Sequence, residues 1–151
     1  MAHIHELIDF TITAYIVHHD SVLLVNHPRY QKWLPIGGHI ELDEDPETAL
    51  HREIKEESGL ETTILSTKPD NMSAGHEFVL TPNYVDIHDA NPPHRHVSFV
   101  YFALAHTDAF VKSDEHDDMR WITISELHNP EYDLSPEVIF YCESAVALAQ
   151  Q

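Results

Sequence analysis

Positive charge is what this chain has least of. Eight lysines and arginines stand against 26 aspartates and glutamates, a formal charge of −18 with the histidines neutral. Such a surface repels a phosphate backbone, so a polynucleotide substrate is not expected without a local basic groove. Small anionic substrates stay open, because a metal ion can screen an acidic site, and much of the acidity serves equally well as a solubility device. Cysteine is reduced to Cys142, which excludes an intrachain disulfide. Long apolar runs are missing as well. The most apolar stretch, VSFVYFALA from Val97 to Ala105, falls far short of the roughly 20 residues that cross a bilayer. The opening MAHIHELIDF lacks the basic end and following apolar run of a secretory signal. A soluble cytoplasmic protein with no membrane partner is the expectation.

What is there suffices for one domain over residues 1–151, since a chain of this length buries roughly two-thirds of its unfolded surface. Phe10 to Val17 and Val22 to Asn26 are rich in β-branched residues and read as a hairpin around His18 to Ser21, although Asn-Gly or Asp-Gly is absent from the turn. Gly37-Gly38 permits backbone geometry that side chains would forbid. Asp45-Pro46-Glu47 starts a helix with a cap, a proline at the first position and an acid at the positive dipole end. Gly59 is placed to end it. Thr62 to Leu65, a short piece near Glu77 to Leu80, Tyr84 to Ile87, His96 to Ala105 and Arg120 to Thr123 are the later strand candidates. Continuous apolar character in His96 to Ala105 predicts burial on both faces. Ser135-Pro136-Glu137 begins a second helix, with Val138, Cys142, Ala145, Val146 and Ala149 as its apolar stripe. The order of elements indicates an α/β domain, a mixed sheet with helices packed against it.

The first helix carries an electrostatic anomaly. Glu53, Glu56 and Glu57 share one helical face near its C-terminal end. Like charges at that spacing destabilise a helix by about 0.2–0.5 kcal/mol per pair, and that end of the dipole favours cations. A bound divalent cation reverses both penalties. Carboxylates are the hard oxygen ligands that Mg²⁺ prefers.

Gly38, Glu44, Arg52, Glu53, Ile54, Glu56, Glu57, Gly59 and Leu60 together resemble the signature of the Nudix hydrolase family, filling nine defined positions over 23 residues. The resemblance implies an α/β/α sandwich around a mixed sheet. It also implies hydrolysis of a nucleoside diphosphate linked to another group, with Mg²⁺ or Mn²⁺ as cofactor. Glu53, Glu56 and Glu57 would then hold the metal, with the backbone of Gly38 as a further ligand. Arg52 would orient a neighbouring glutamate, since its planar fork suits a carboxylate. Glu44 would brace the loop or touch a second metal, and Gly38 and Gly59 would act through backbone geometry. For the general base, Glu53 or Glu56 comes first, and Glu115, in an acidic loop ahead of the last strand, is the outside candidate. One departure is local: many relatives read Pro-Gly-Gly, whereas Pro35-Ile36-Gly37-Gly38 has an extra residue, expected to be absorbed in the loop.

Specificity residues lie outside the signature. Arg29 and Lys32 are candidates for substrate phosphates, against a reading as plain surface charge. Trp33 and Tyr84 could stack on a base or simply pack. His94 and His96 could meet a phosphate or a base edge, or join His88 in a zinc site; with 14 histidines, chance clusters are common. Phe99 and Tyr101 read as core or pocket wall, and Cys142 as a packing residue. The substrate classes left open are nucleoside triphosphates (oxidised ones included), ADP-ribose-like sugars and dinucleoside polyphosphates. A catalytically inactive nucleotide sensor on the same fold is the rival reading, opposed by the intact glutamate cluster. An mRNA-decapping enzyme conflicts with the charge. A small nucleotide is the expected partner, and a homodimer remains open.

Overall fold

A computed structural model describes residues 6–151; the first five residues, which open the MAHIHELIDF stretch, lie outside the described residues. Strand β1 (Ile8–His18) is the centre of the fold. It runs parallel to β7 (His94–Ala105), with Ile8 opposite Arg95 and Val17 opposite Leu104. Its other edge is shared. β4 (Ile36–His39) pairs with the first half, Thr11 opposite His39, and β2 (Ser21–His27) pairs with the end. β2 in turn carries β3 (Lys32–Leu34) and β8 (Asp118–Thr123), and β7 carries β5 (Thr62–Ile64) and β6 (Tyr84–Asn91). Among the described residues only the β1–β7 contact is parallel, so the sheet is mixed.

Helices cover both faces. β1 alternates by position: Ile12, Ala14 and Ile16 pack with Leu50 and Ile54 of α1 (Pro46–Ser58), while Tyr15 and Val17 pack with Val138, Cys142 and Val146 of α2 (Pro136–Ala149). β7 does the same, Tyr101 and Ala103 toward α1 and Val100 and Phe102 toward α2, which bears out the expectation of two buried faces. The result is the α/β/α sandwich that the sequence implied. Cys142 is fully buried there, and burial pushes its thiol up to about 12, which suits packing and not chemistry.

Both helices start as the sequence requires. The Asp45 carboxylate accepts from the Thr48 amide at 2.8 Å, and the Ser135 hydroxyl accepts from that of Val138 at 3.3 Å. Gly59 ends α1 at φ 67°, with its N–H on the Lys55 carbonyl. The β1–β2 turn closes without glycine because His19 takes a left-handed φ of 54°.

Two expectations need correction. Glu77 to Leu80 forms no strand. Its backbone groups find side chains instead of a ladder: the Phe78 amide donates to Asn71 Oδ1 and the Leu80 amide to Glu47 Oε2. The residue inserted before Gly37-Gly38 is not taken up in a loop either. Ile36 lies in β4 opposite Ala14 and is fully buried in the α1-side core. Its apolar side chain gains more from the core than from a solvated turn.

Candidate active site

The two glycines of β4 are there for close approach, since neither has a positive φ. A Cβ on Gly37 would sit 2.4 Å from the Ile12 carbonyl oxygen. A Cβ on Gly38 would sit 2.2 Å from Glu53 Oε1. The glycine strand therefore lets the Glu53 carboxylate lie directly against the backbone of the sheet.

Arg52 binds this assembly together. Its Nε and Nη2 form a two-pronged contact with Glu44, at 2.7 and 2.8 Å. Nη1 reaches Glu53 Oε1 at 2.8 Å and Glu56 Oε2 at 3.3 Å, and Nη2 also donates to the His39 carbonyl at 3.1 Å. Glu44 accepts from the Glu41 amide as well, at 3.0 Å, so it braces the loop between β4 and α1. The Arg52 guanidinium holds the Glu44 carboxyl below its usual range. The orienting role expected of Arg52 is visible in these contacts.

Glu53 and Glu57 are 8% and 4% exposed, one helical turn apart, whereas Glu56 is exposed. Burial first, and the neighbouring Glu57 carboxyl second, push Glu53 up to about 7 from an ordinary 4.5. Proton linkage then runs in one direction. The folded chain holds a proton on Glu53 that the unfolded chain releases near pH 4.5, so stability falls as pH rises from there through about 7. A divalent ion needs the ionised carboxylate and must displace that proton. Apparent metal affinity should therefore rise about tenfold per pH unit below about 7 and level off above it. Metal titrations of the apo protein at several pH values check this; a flat profile would sink it.

A third element completes the cluster. The segment 106–117 folds back over the end of α1: the Val111 amide donates to the Ser58 carbonyl at 2.8 Å, and the Asp117 amide to that of Asn26 at 3.1 Å. Lys112 Nζ donates to the His116 carbonyl at 2.8 Å. This brings His116, 7% exposed, to Glu57, with Nε2 to Oε2 at 3.0 Å, and places Glu115 so that one ligand atom from each of the three lies within 4.8 Å of the others. His116 Nδ1 is buried with no partner. Glu115 is a candidate from the sequence, whereas His116 enters only through the fold. Nothing in its spacing signals a partner 59 positions away. Two buried carboxylates one helical turn apart, an imidazole with a spare nitrogen and an exposed acid make a donor set that fits a divalent cation.

Other candidates are distributed differently. Arg29 and Lys32 are exposed on or beside the β2–β3 turn, which borders the cluster: the His27 ring lies 5.9 Å from that of His116. Trp33 packs edge-on against Tyr132 at 5.5 Å beneath Arg120, and Tyr84 packs against Phe140 and Tyr141 of α2. His94 and His96 gather around Asp9 on the sheet face away from α1.

The α/β/α sandwich thus lays the buried carboxylates of α1 against a glycine strand, braced by an arginine fork. The NUDIX domain model matches residues 10–141, and the chain belongs to the Nudix hydrolases, which act on pyrophosphate bonds and generally use divalent metals. Among solved structures, a NUDIX-family hydrolase from Clostridium perfringens is 31% identical, with a TM-score of 0.81 over 93% of this chain and 97% of that one. A MutT NUDIX hydrolase from Burkholderia pseudomallei is 26% identical, with a TM-score of 0.64 over 91% and 98%. The E. coli dihydroneopterin triphosphate pyrophosphohydrolase, at 16% identity and a TM-score of 0.68 over 91% and 94%, shares the fold. No curated protein matches the chain.

Proposed function

We propose that the chain hydrolyses a diphosphate linkage in a small nucleotide, a nucleoside triphosphate before ADP-ribose or a dinucleoside polyphosphate, with Mg²⁺ as cofactor. One observation carries this reading: the buried pair Glu53 and Glu57, fixed by Arg52 on one side and His116 on the other, beside the exposed acids Glu56 and Glu115. Glu53, Glu56 and Glu57 would hold the ion, with the Gly38 backbone adjoining Glu53. When bound, the metal polarises phosphorus and stabilises charge developing on the leaving phosphate. Everything else falls to the chain. Arg52 orients Glu53 and Glu56, Glu44 and the β4–α1 loop keep Arg52 in register, and His116 fixes the rotamer of Glu57. Arg29 and Lys32 form a rare basic rim in a chain of charge −18, beside the turn that borders the cluster. Cations at that rim suit a substrate with a phosphate to spare beyond the cleaved linkage, which favours the triphosphate.

The attacking water must give up a proton. Among the described residues, the Glu115 carboxylate has no hydrogen-bond partner, whereas Glu53 is committed to Arg52, so Glu115 is the base this reading favours. Glu115→Gln should then lower kcat by about 10²–10⁴ at saturating Mg²⁺. Wild-type turnover across pH in that variant would remove Glu115 from the role. The wider test is phosphate or pyrophosphate release with Mg²⁺ over a panel of triphosphates, ADP-ribose and dinucleoside polyphosphates. Turnover confined to the last two classes overturns the triphosphate assignment, and no turnover on any member overturns the catalytic one.

A further inference from the structure

A second group of metal-ligating side chains lies across the sheet from the signature glutamates. Residues paired in register share a face. Asp9 on β1 lies opposite His96 on β7, which lies opposite His88 on β6, and Thr11 lies opposite His39 on β4. The neighbouring Gly38 faces Glu53 and α1, so His39 and the rest point the other way. His94 Nε2 lies 2.8 Å from Asp9 Oδ2, and His39 Nε2 lies 3.1 Å from the same oxygen. Asp9, His94 and His96 each offer a ligand atom within 4.8 Å of the others, all three half-buried, and the rings of His39 and His96 are 5.0 Å apart.

We propose that Asp9, His94 and His96 bind a divalent transition ion of the zinc type, separate from the hydrolytic metal. The donor set is imidazole with one carboxylate, which suits zinc and discriminates against Mg²⁺, an ion that takes oxygen. In a tetrahedral site with bonds near 2.0–2.1 Å, neighbouring ligand atoms stand about 3.3 Å apart. The Asp9–His94 pair, at 2.8 Å, would open by about half an ångström, and His96 would draw in from within 4.8 Å of both. His39, at 3.1 Å from the same Asp9 oxygen, lies beside the three and orients that carboxylate. His88 supports the group from β6: its ring packs edge-on to His96 at 5.6 Å, and its Nδ1 is fixed by Asp86 at 2.9 Å. Bound here, the ion ties the ends of β1 and β7 together. The sequence suggested His88 as a partner for such a site; the fold supplies Asp9 in its place.

The test starts from metal-free protein saturated with Mg²⁺, titrated with Zn²⁺ by calorimetry and with Co²⁺ by visible absorption. One equivalent of Zn²⁺ should bind on top of the Mg²⁺, and Co²⁺ should give the intense d–d bands of a tetrahedral nitrogen–oxygen site. The double variant His94→Gln/His96→Gln should lose more than about 100-fold in zinc affinity, since loss even of a group that only supports a ligand costs 10–100-fold. Asp9→Asn should weaken binding in the same direction, and His128→Gln, distant in chain and exposed, should not. Zn²⁺ should raise the melting temperature of the wild type and leave that of the double variant unchanged, with each protein shown to be folded by circular dichroism. Three outcomes each overturn the site: no Zn²⁺ uptake by the wild type under Mg²⁺, equal uptake by the double variant, or uptake abolished by Glu57→Gln, which would place the ion on the catalytic carboxylates.

Discussion

Replacing Glu57 by Gln is expected to lower kcat/KM by more than about 10²-fold and to weaken divalent-metal binding in parallel, with the fold intact. Glu57 is almost fully buried, and its oxygen meets His116 Nε2 at 3.0 Å. Glutamine keeps the shape and an acceptor for that contact, so the segment 106–117 has no reason to leave. What it removes is the charge. The Glu57 carboxyl is the second of the causes that raise Glu53, after burial. Without it, Glu53 ionises more readily, and the stability lost between about pH 4.5 and 7 in the metal-free wild type should partly return. The variant should thus be the more stable apo protein near pH 7 and the poorer enzyme. Melting temperature against pH, with and without Mg²⁺, tests both halves. Wild-type turnover would remove Glu57 from the metal site, and an unchanged apo stability profile would remove the coupling to Glu53.

Alanine at the two glycines of β4 should separate activity from stability. In Gly38→Ala the new methyl collides with the end of Glu53, at 2.2 Å from Oε1 and 2.6 Å from Cδ. A carboxylate tip can swing aside, so the fold survives. Glu53 then leaves Arg52 and the metal position, and a displacement of that size costs about 10²-fold in kcat. In Gly37→Ala the obstacle is backbone: the Ile12 carbonyl oxygen at 2.4 Å and Thr13 Cα at 3.3 Å, both on the central strand. Nothing there can rotate out of the way. Overpacking of that kind costs about 1–3 kcal/mol, or roughly 2–4 °C of melting temperature per kcal/mol for a chain of this size. Gly38→Ala should therefore lose rate with little loss of melting temperature, and Gly37→Ala should lose melting temperature first. The reverse pattern would mean that the two glycines have been given the wrong roles.

The elements legible in the chain are those whose signals are local. Asp45-Pro46-Glu47 and Ser135-Pro136-Glu137 start helices because a cap and a proline act within four residues of themselves, and Gly59 ends one because its φ of 67° is a single-residue property. The glutamates of α1 were legible for the same reason, helical spacing being fixed by the backbone. Only the tertiary structure decided what meets them. Gly38 lies against Glu53 because β4 pairs antiparallel to β1, and His116 reaches Glu57 because the segment 106–117 is tied to Ser58 and Asn26 by backbone hydrogen bonds. Asp9, His39, His94 and His96 come together through one parallel and one antiparallel register, each chosen by which face of β1 the core occupies. A one-residue slip would turn every one of those side chains to the opposite face. That register is set by burial of Ile12, Ala14 and Ile16 against α1, residues that carry no chemistry of their own and place all the residues that do.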